Sequence, residues 1–178
     1  MLLHHARARA RRALFWVKFN IREAEGGLMP SNDLRVHIAV EDRLLLHLLE
    51  QDGQADLYMV SPAVTRPGIA EACALHPPNV SRSMRTMHRN QWVSEHTRTV
   101  RGESRRQKTW QLTDLGRIEA STRSNSLGLT QVLIRDEGGQ LLEVTASQAS
   151  TRLAANLTLL QVLMHAQHEG VLTYGDIR

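Results

Sequence analysis

The apolar positions of residues 40–50 repeat at the spacing of a helix. Five of them follow one another at i, i+4, i+5, i+8 and i+9: Val40, Leu44, Leu45, Leu48 and Leu49. This wide apolar stripe is typical of a helix packed into a core, and Gly53 is suited to end it. The shorter apolar run at 57–60 is followed by Ser61-Pro62, which predicts a short strand at the edge of a sheet.

Two further helices are predicted on either side of a proline break. Thr65 can cap the first, which has Pro67 in its first turn and apolar residues over two turns up to Leu75. His76-Pro77-Pro78 then interrupts the chain, because a proline keeps the residue before it out of the helical region. Both prolines are acceptable in the first turn of the helix that follows.

The helix after the break has one apolar side and one basic side. Val80, Met84 and Met87 are predicted to face the core. On the opposite side are three arginines spaced by three and four, with two flanking hydrogen-bonding residues: Arg82, Arg85, Arg89, Asn79 and Thr86. The pattern predicts a helix that presents a row of donors.

The period then changes from that of a helix to that of strands. Residues 92–100 and 107–112 are rich in β-branched and aromatic residues and predict two strands of a hairpin. The tip between them, 101–106, is polar and bears three arginines. Thr113-Asp114 can cap a further helix. We expect three of its residues to return the chain to the core: Leu115, Ile118 and Ala120.

The segment 121–178 predicts a second hairpin and more helix. Asp136-Glu137-Gly138-Gly139 separates two apolar runs and places glycines where a tight turn needs positive φ. Thr145 and Gln148 have the spacing of a capping box. A strongly apolar stretch follows: Leu157, Leu159, Leu160, Leu163 and Met164. It either completes the core of one chain or forms a two-fold interface, and we favour the interface.

Composition limits the class of protein. The chain has 178 residues, of which 42% are hydrophobic and 4% aromatic, so a core must be built mainly from aliphatic residues. No stretch has the roughly 18 consecutive apolar residues of a membrane span. A single cysteine, Cys73, excludes an internal disulfide. We expect a cytoplasmic protein without a membrane partner.

The positive charge is concentrated in two parts of the chain. The net charge is +4, and residues 61–120 alone contain ten basic and five acidic residues. Nearly all the cations are arginines, whose planar guanidinium suits phosphate and guanine edges. A general compositional bias toward arginine is the other explanation. The position of the arginines along the chain is therefore more informative about function than their number.

Residues 1–28 form the second basic part, with six basic and two acidic residues. The segment can be drawn as a basic amphipathic helix. It is interpretable as a nucleic-acid-binding arm, as an organelle-type transit peptide, or as an upstream extension ahead of a start at Met29. We expect the rest of the chain to fold without it.

The order of elements over 39–120 resembles a winged helix-turn-helix DNA-binding domain of the MarR-like kind. Val64 to Ala72 resembles the first helix of that family's helix-turn-helix, and Asn79 to Arg85 resembles its recognition-helix core. Trp92-Val93, the basic hairpin, and Trp110 to Gly116 resemble the wing and its L-T-x-x-G exit. The resemblance covers a little under half of the chain.

Two departures from the family's pattern concern the helix after the proline break. His76 replaces the usual Ser or Thr cap, and Gln91 replaces the usual Gly after the helix. The double proline also removes two backbone amides that could face phosphate. Contacts with the DNA backbone should therefore depend more on arginine side chains.

The resemblance implies a recognition helix in the major groove and a wing on the minor groove or the backbone. Four residues are candidate base readers: Asn79, Arg82, Ser83 and Thr86. Six more are candidate phosphate or minor-groove contacts: Arg85, Arg89, Arg101, Arg105, Arg106 and Lys108. The alternative for Arg85, Arg89 and the wing tip is a merely solvated surface.

Catalytic signatures are missing from the sequence. It has no phosphate-binding loop, dinucleotide fingerprint, nucleophile elbow or H-E-x-x-H motif. His165 with His168 and Cys73 with His76 have ligand-like spacings, but two ligands do not define a metal site. We expect no enzyme activity, no cofactor and no metal, and we expect Cys73 to be a small core residue.

Together these patterns predict a mainly α fold with a small antiparallel β wing (α+β): a winged helix-turn-helix with a C-terminal β-hairpin plus helices. The predicted domains are a basic extension over 1–28, the winged helix-turn-helix over 29–120, and a dimerisation or regulatory segment over 121–178. The predicted function is sequence-specific binding of double-stranded DNA by a homodimeric transcriptional regulator. The alternative is a winged-helix adaptor that binds another protein within a larger signalling protein.

Overall fold

The structure, a computed structural model, describes residues 36–53, 58–136, 138–153 and 157–173. The basic N-terminal extension predicted over 1–28 lies outside these residues. None of the helices described is both long and apolar enough to cross a membrane.

The described chain folds into short helices and short strands. In order they are α1 (Val40–Glu50), β1 (Met59–Val60), a 3-10 helix (Pro62–Val64), α2 (Arg66–Ala72), α3 (Pro77–Arg89), β2 (Val93–Val100), β3 (Gln107–Leu112), α4 (Asp114–Gly128), β4 (Gln131–Arg135), β5 (Leu141–Thr145), α5 (Ala146–Leu153), α6 (Leu159–Glu169) and β6 (Val171–Thr173). Apart from the 3-10 helix, the order over 40–120 is the one that the sequence predicts.

Side-chain caps define several helix starts. The Thr65 hydroxyl accepts a hydrogen bond from the Gly68 amide at 3.3 Å, and the Thr113 hydroxyl accepts one from Gly116 at 3.0 Å. Each satisfies an amide that has no partner within its helix. The capping box predicted at Thr145 and Gln148 is present in both directions. These local predictions are confirmed.

Each hairpin gains a third strand that runs parallel to its neighbour. The first sheet has the order β1-β2-β3 and the second has the order β5-β4-β6. β1 is an edge strand, as predicted, and pairs in parallel with the end of β2. The three-residue β6 pairs in parallel with β4 and was not predicted, because a partner about forty positions away leaves no local signal.

The apolar residues of α6 complete the core of a single chain. Leu160, Leu163 and Met164 are at most 2% exposed. They belong to one apolar cluster with residues of α1, α3 and β3. The interpretation of this stretch as a two-fold interface is therefore wrong for these three residues, which are already covered.

The predicted core face of α4 is also wrong for two of its three residues. Leu115 is 54% exposed and Ile118 is 66% exposed, whereas Ala120 is buried. The buried positions of α4 are small: Gly116, Ala120 and Gly128. A Cβ at Gly116 would overlap the Trp92 carbonyl oxygen, so the small residues mark where α4 approaches its neighbours most closely.

Candidate nucleic-acid interface

A wide concave surface lies between α3 and the β2–β3 hairpin, beside the start of α2. Its volume is about 1470 Å³, and we call it the basic groove. The described residues that line it include five cations: Arg66, Arg82, Arg85, Arg89 and Lys108. Polar neutral groups, one carboxylate and the apolar residues Pro67, Met84 and Trp110 complete the lining.

The apolar side of α3 fixes the direction of the arginines. Val80, Met84 and Met87 are each at most 1% exposed, so this side of the helix is held in the core. Arg82, Arg85 and Arg89 consequently project from the other side and are exposed. The helix starts at Pro77, after His76 in an extended conformation that makes no side-chain cap. The predicted division of the helix into two sides is confirmed.

Hydrogen bonds within α3 restrain some of these side chains. Arg85 Nε donates to the Ser81 carbonyl at 3.3 Å, and Arg89 Nη2 donates to the Thr86 hydroxyl at 3.2 Å. The Thr86 hydroxyl in turn donates to the Arg82 carbonyl at 3.5 Å. A guanidinium has five N–H donors. Both arginines thus retain further N–H groups for a ligand in the groove.

The hairpin contributes a different set of cations. Arg101, Arg105 and Arg106 are exposed at its tip, beyond the groove lining, and Arg106 donates to the Thr97 carbonyl. Lys108, on β3, lines the groove itself. Its Nζ lies 2.7 Å from Oε1 of Glu95 on β2, which also lines the groove.

Half of the predicted site residues therefore converge on the groove. These are Arg82, Arg85, Thr86, Arg89 and Lys108. The other half lie outside its lining: Asn79, Ser83, Arg101, Arg105 and Arg106. Asn79 is exposed in the first turn of α3, and Ser83 is half-buried on the same helix.

Several groove residues were missed from the sequence. Arg66 begins α2 directly after the Thr65 cap, but the sequence does not show that this helix start lies beside α3. His88 is three positions after Arg85, a spacing that places both on one side of the helix. Glu95 was also missed, although strand alternation and the pairing register could have put it on the Lys108 side.

Buried polar contacts tie the helix pair to the rest of the core. Arg43 of α1 is 9% exposed; its Nη1 donates to the Cys73 carbonyl at 3.4 Å and its Nη2 donates to Gln167 of α6 at 2.9 Å. The Cys73 thiol donates to the Arg43 carbonyl at 3.5 Å. Contacts from α1 thus hold the end of α2, just before the turn into α3.

Cys73 is a buried core residue, as predicted. Its side chain is fully covered, and burial raises the pKa of the thiol to about 12. The thiol is therefore protonated at neutral pH, and it is the thiolate that acts as nucleophile or metal ligand. Within the described residues, no three His, Cys, Asp or Glu side chains are grouped so that they could hold a metal ion.

Comparisons with known proteins give distant structural matches. No protein-family model and no curated protein sequence matches the chain. A MepR variant from a multidrug-resistant S. aureus clinical isolate is similar with a TM-score of 0.36 and 24% identity, over 50% of this chain and 56% of that chain. Wild-type ZitR of Lactococcus lactis in complex with DNA is similar with a TM-score of 0.34 and 17% identity, over 70% of this chain and 75% of that chain. A variant of the same ZitR is similar with a TM-score of 0.37 and 17% identity, again over 70% and 75%. The chain thus spans little more than half the length of MepR.

Proposed function

We propose that the chain is a winged helix-turn-helix transcriptional regulator that binds double-stranded DNA with sequence specificity. The observation that carries the proposal is the convergence of five cations from α2, α3 and β3 on one groove. A phosphodiester backbone carries a regular row of negative charges that such a surface attracts. In this proposal α3 is the recognition helix and the β2–β3 hairpin is the wing.

The side chains of α3 have the chemistry needed to read bases. Arginine bonds the O6 and N7 edge of guanine in bidentate fashion, and asparagine bonds adenine in the same way. Arg82, Asn79, Ser83 and Thr86 are the proposed base readers. Arg85 and Arg89 are proposed to bind phosphates, because their partial bonding within the helix restricts how far they reach.

The wing residues are proposed to contact the backbone or the minor groove. Arg101, Arg105 and Arg106 form an exposed cluster at the end of the hairpin, where they can extend beyond the protein body. Contacts of this kind hold the protein in register without reading sequence. Lys108 and the previously missed Arg66 extend the same basic surface toward α2.

The proposed regulator acts as a homodimer. Two copies would place two recognition helices at half-sites about one helical turn apart. Light scattering after size-exclusion chromatography, with and without a duplex, measures the number of copies. A chain that remains monomeric on DNA would contradict this part of the proposal.

Fluorescence anisotropy with genomic duplex fragments across a salt series tests the proposal. We expect tight binding at low salt that weakens steeply as salt rises, because phosphate contacts release counterions. A variant with Arg82, Arg85, Arg105 and Arg106 replaced by Gln should lose this binding. Arg135→Gln, on β4 and outside the groove lining, is the control for loss of an arginine elsewhere in the chain.

The result that would overturn the proposal is equally specific. A folded wild-type protein that binds no duplex even at low salt would not be a DNA-binding regulator. It would favour the adaptor interpretation, in which the winged fold binds another protein.

A further inference from the structure

The lining of the basic groove includes one carboxylate. Among the described residues that line it, Glu95 is the acidic one, beside five cations. Its side chain is 40% exposed and that of Lys108 is 67% exposed. Both groups are therefore open to an incoming ligand.

The strand register places Glu95 and Lys108 on one side of the hairpin. Glu95 pairs with Trp110, and Lys108 pairs with Thr97, so the two charged residues are diagonal neighbours across the ladder. Diagonal neighbours are within reach of long side chains. Their side chains form an ion pair with Nζ and Oε1 2.7 Å apart. Trp110, the ladder partner of Glu95, is 7% exposed.

The ion pair contributes little to folding. Exposed pairs of lysine and glutamate are weak, because water screens the charges and two long side chains must be ordered. Its larger effect is on the ligand. While Lys108 is paired with Glu95, the pair has no net charge, because the repulsion of a phosphate by the carboxylate offsets its attraction by the ammonium.

We propose that Glu95 restrains the sequence-independent affinity of the basic groove for a nucleic-acid backbone by holding Lys108 in a neutral pair. This inference rests on the proposed function of the groove as a DNA site. Backbone contacts do not distinguish sequences. The pair therefore lowers affinity for every sequence by about the same factor, which limits how tightly the protein is held on non-specific DNA.

The test measures binding of a labelled random-sequence duplex by fluorescence anisotropy across a salt series. Glu95→Gln should bind about fivefold more tightly at low salt, because one screened charge interaction near 4 Å is worth about that factor. Freed Lys108 should also neutralise one more phosphate, which makes the slope of log K against log salt steeper by about 0.9. The control is Glu143→Gln, an exposed carboxylate on β5 that does not line the groove.

A double variant distinguishes the pair from a general change of charge. Glu95→Gln combined with Lys108→Gln removes both charges and should return affinity and salt slope to the wild-type values. The inference is overturned if Glu95→Gln binds no more tightly than Glu143→Gln, or if the double variant keeps the steeper slope. Weaker binding by Glu95→Gln would overturn it too, and would make Glu95 a direct contact with a base.

Heparin serves as a second probe, because it is a polyanion without base pairs. Wild-type protein that binds heparin but no duplex would refute the proposed DNA function. The heparin affinities of the wild type, Glu95→Gln, Glu143→Gln and the double variant would then decide the inference about Glu95. Wild-type protein that binds neither probe refutes both proposals.

Discussion

At the scale of single residues, the spacing of arginines on α3 is the most informative feature of the chain. Arg82, Arg85 and Arg89 are predicted to be exposed because Val80 and Met84 occupy the opposite side of a 3.6-residue helix. The arginines and the apolar residues both lie on the sides of α3 that the helical period predicts. Their roles in binding remain proposals, and they lead to a prediction that separates two kinds of contact.

Arg82→Ala and Arg105→Ala should weaken DNA binding in different ways. We expect Arg82→Ala to cost about 1–3 kcal/mol and to relax selectivity at one base pair, because a bidentate base contact is lost. Arg105→Ala should weaken binding to all sequences alike, since a phosphate contact reads no base. Affinities for a set of single-base duplex variants measure both effects. Equal losses on every sequence for both variants would contradict this division of roles.

His47 gives the folded state a dependence on pH. It is 4% exposed on α1, and its Nε2 lies 2.9 Å from the Ala63 carbonyl oxygen. Burial lowers the pKa of His47, and the hydrogen bond to Ala63 offsets part of that effect. As the pH falls, His47 of the unfolded chain is protonated near pH 6.5, which is a higher pH than the folded protein requires.

The free energy of unfolding should therefore fall as the pH falls below about 6.5, until the lowered pKa of the folded state is reached. Urea denaturation at a series of pH values between neutral and mildly acidic measures this. His47→Gln, which keeps an amide donor, should show a shallower fall than the wild type. His88→Gln, at an exposed position, is the control and should keep the wild-type slope. Identical slopes in all three proteins would show that His47 titrates normally.

At the scale of elements, helix starts and close packing have different sequence signals. The caps at Thr65 and Thr113 could be predicted, because a hydroxyl that accepts an amide three residues later is a local arrangement. The orientation of α4 could not. Its buried side is marked by glycine and alanine, and the more hydrophobic Leu115 and Ile118 are exposed.

Gly116→Ala tests whether this close packing matters. A methyl group at Gly116 would overlap the backbone carbonyl of Trp92, which cannot move as a side chain can. We expect a loss of about 1–3 kcal/mol in the free energy of unfolding, typical of overpacking. Gly138→Ala is the control, since its nearest neighbour would be the Asp136 side chain at 3.4 Å. Chemical denaturation monitored by circular dichroism measures both, and equal stabilities would contradict the packing argument.

At the scale of the whole molecule, the described part of the chain shares one principal apolar cluster. It joins residues of α1, α3 and β3 to residues of β4, α5 and α6. The hydrogen bond that Arg43 donates to Gln167 also joins the segment before residue 120 to the segment after it. The predicted separation of the segments 29–120 and 121–178 stays a prediction about function. In packing, the described parts of the two segments share one core.

Leu163→Ala should therefore destabilise both sides together. Leu163 is fully buried on α6, and its truncation should cost about 2–5 kcal/mol. In a Trp16→Phe background, tryptophan fluorescence reports on Trp92 and Trp110, in the segment before residue 120. The fluorescence and circular dichroism transitions in urea should shift together to lower urea. A shift in one signal alone would show that the two sides unfold separately.

The sequence by itself determined the order and ends of most elements and the two sides of α3. These depend on local periodicity, caps and proline breaks, which act over a few residues. Tertiary structure alone decided the parallel pairing of β1, the strand β6, the burial of the α6 leucines within one chain, and the inward side of α4. It also brought Arg66 and Glu95 beside the arginines of α3 to form the groove. Pairing and burial of this kind join residues that are distant in sequence, so a local pattern carries no record of them.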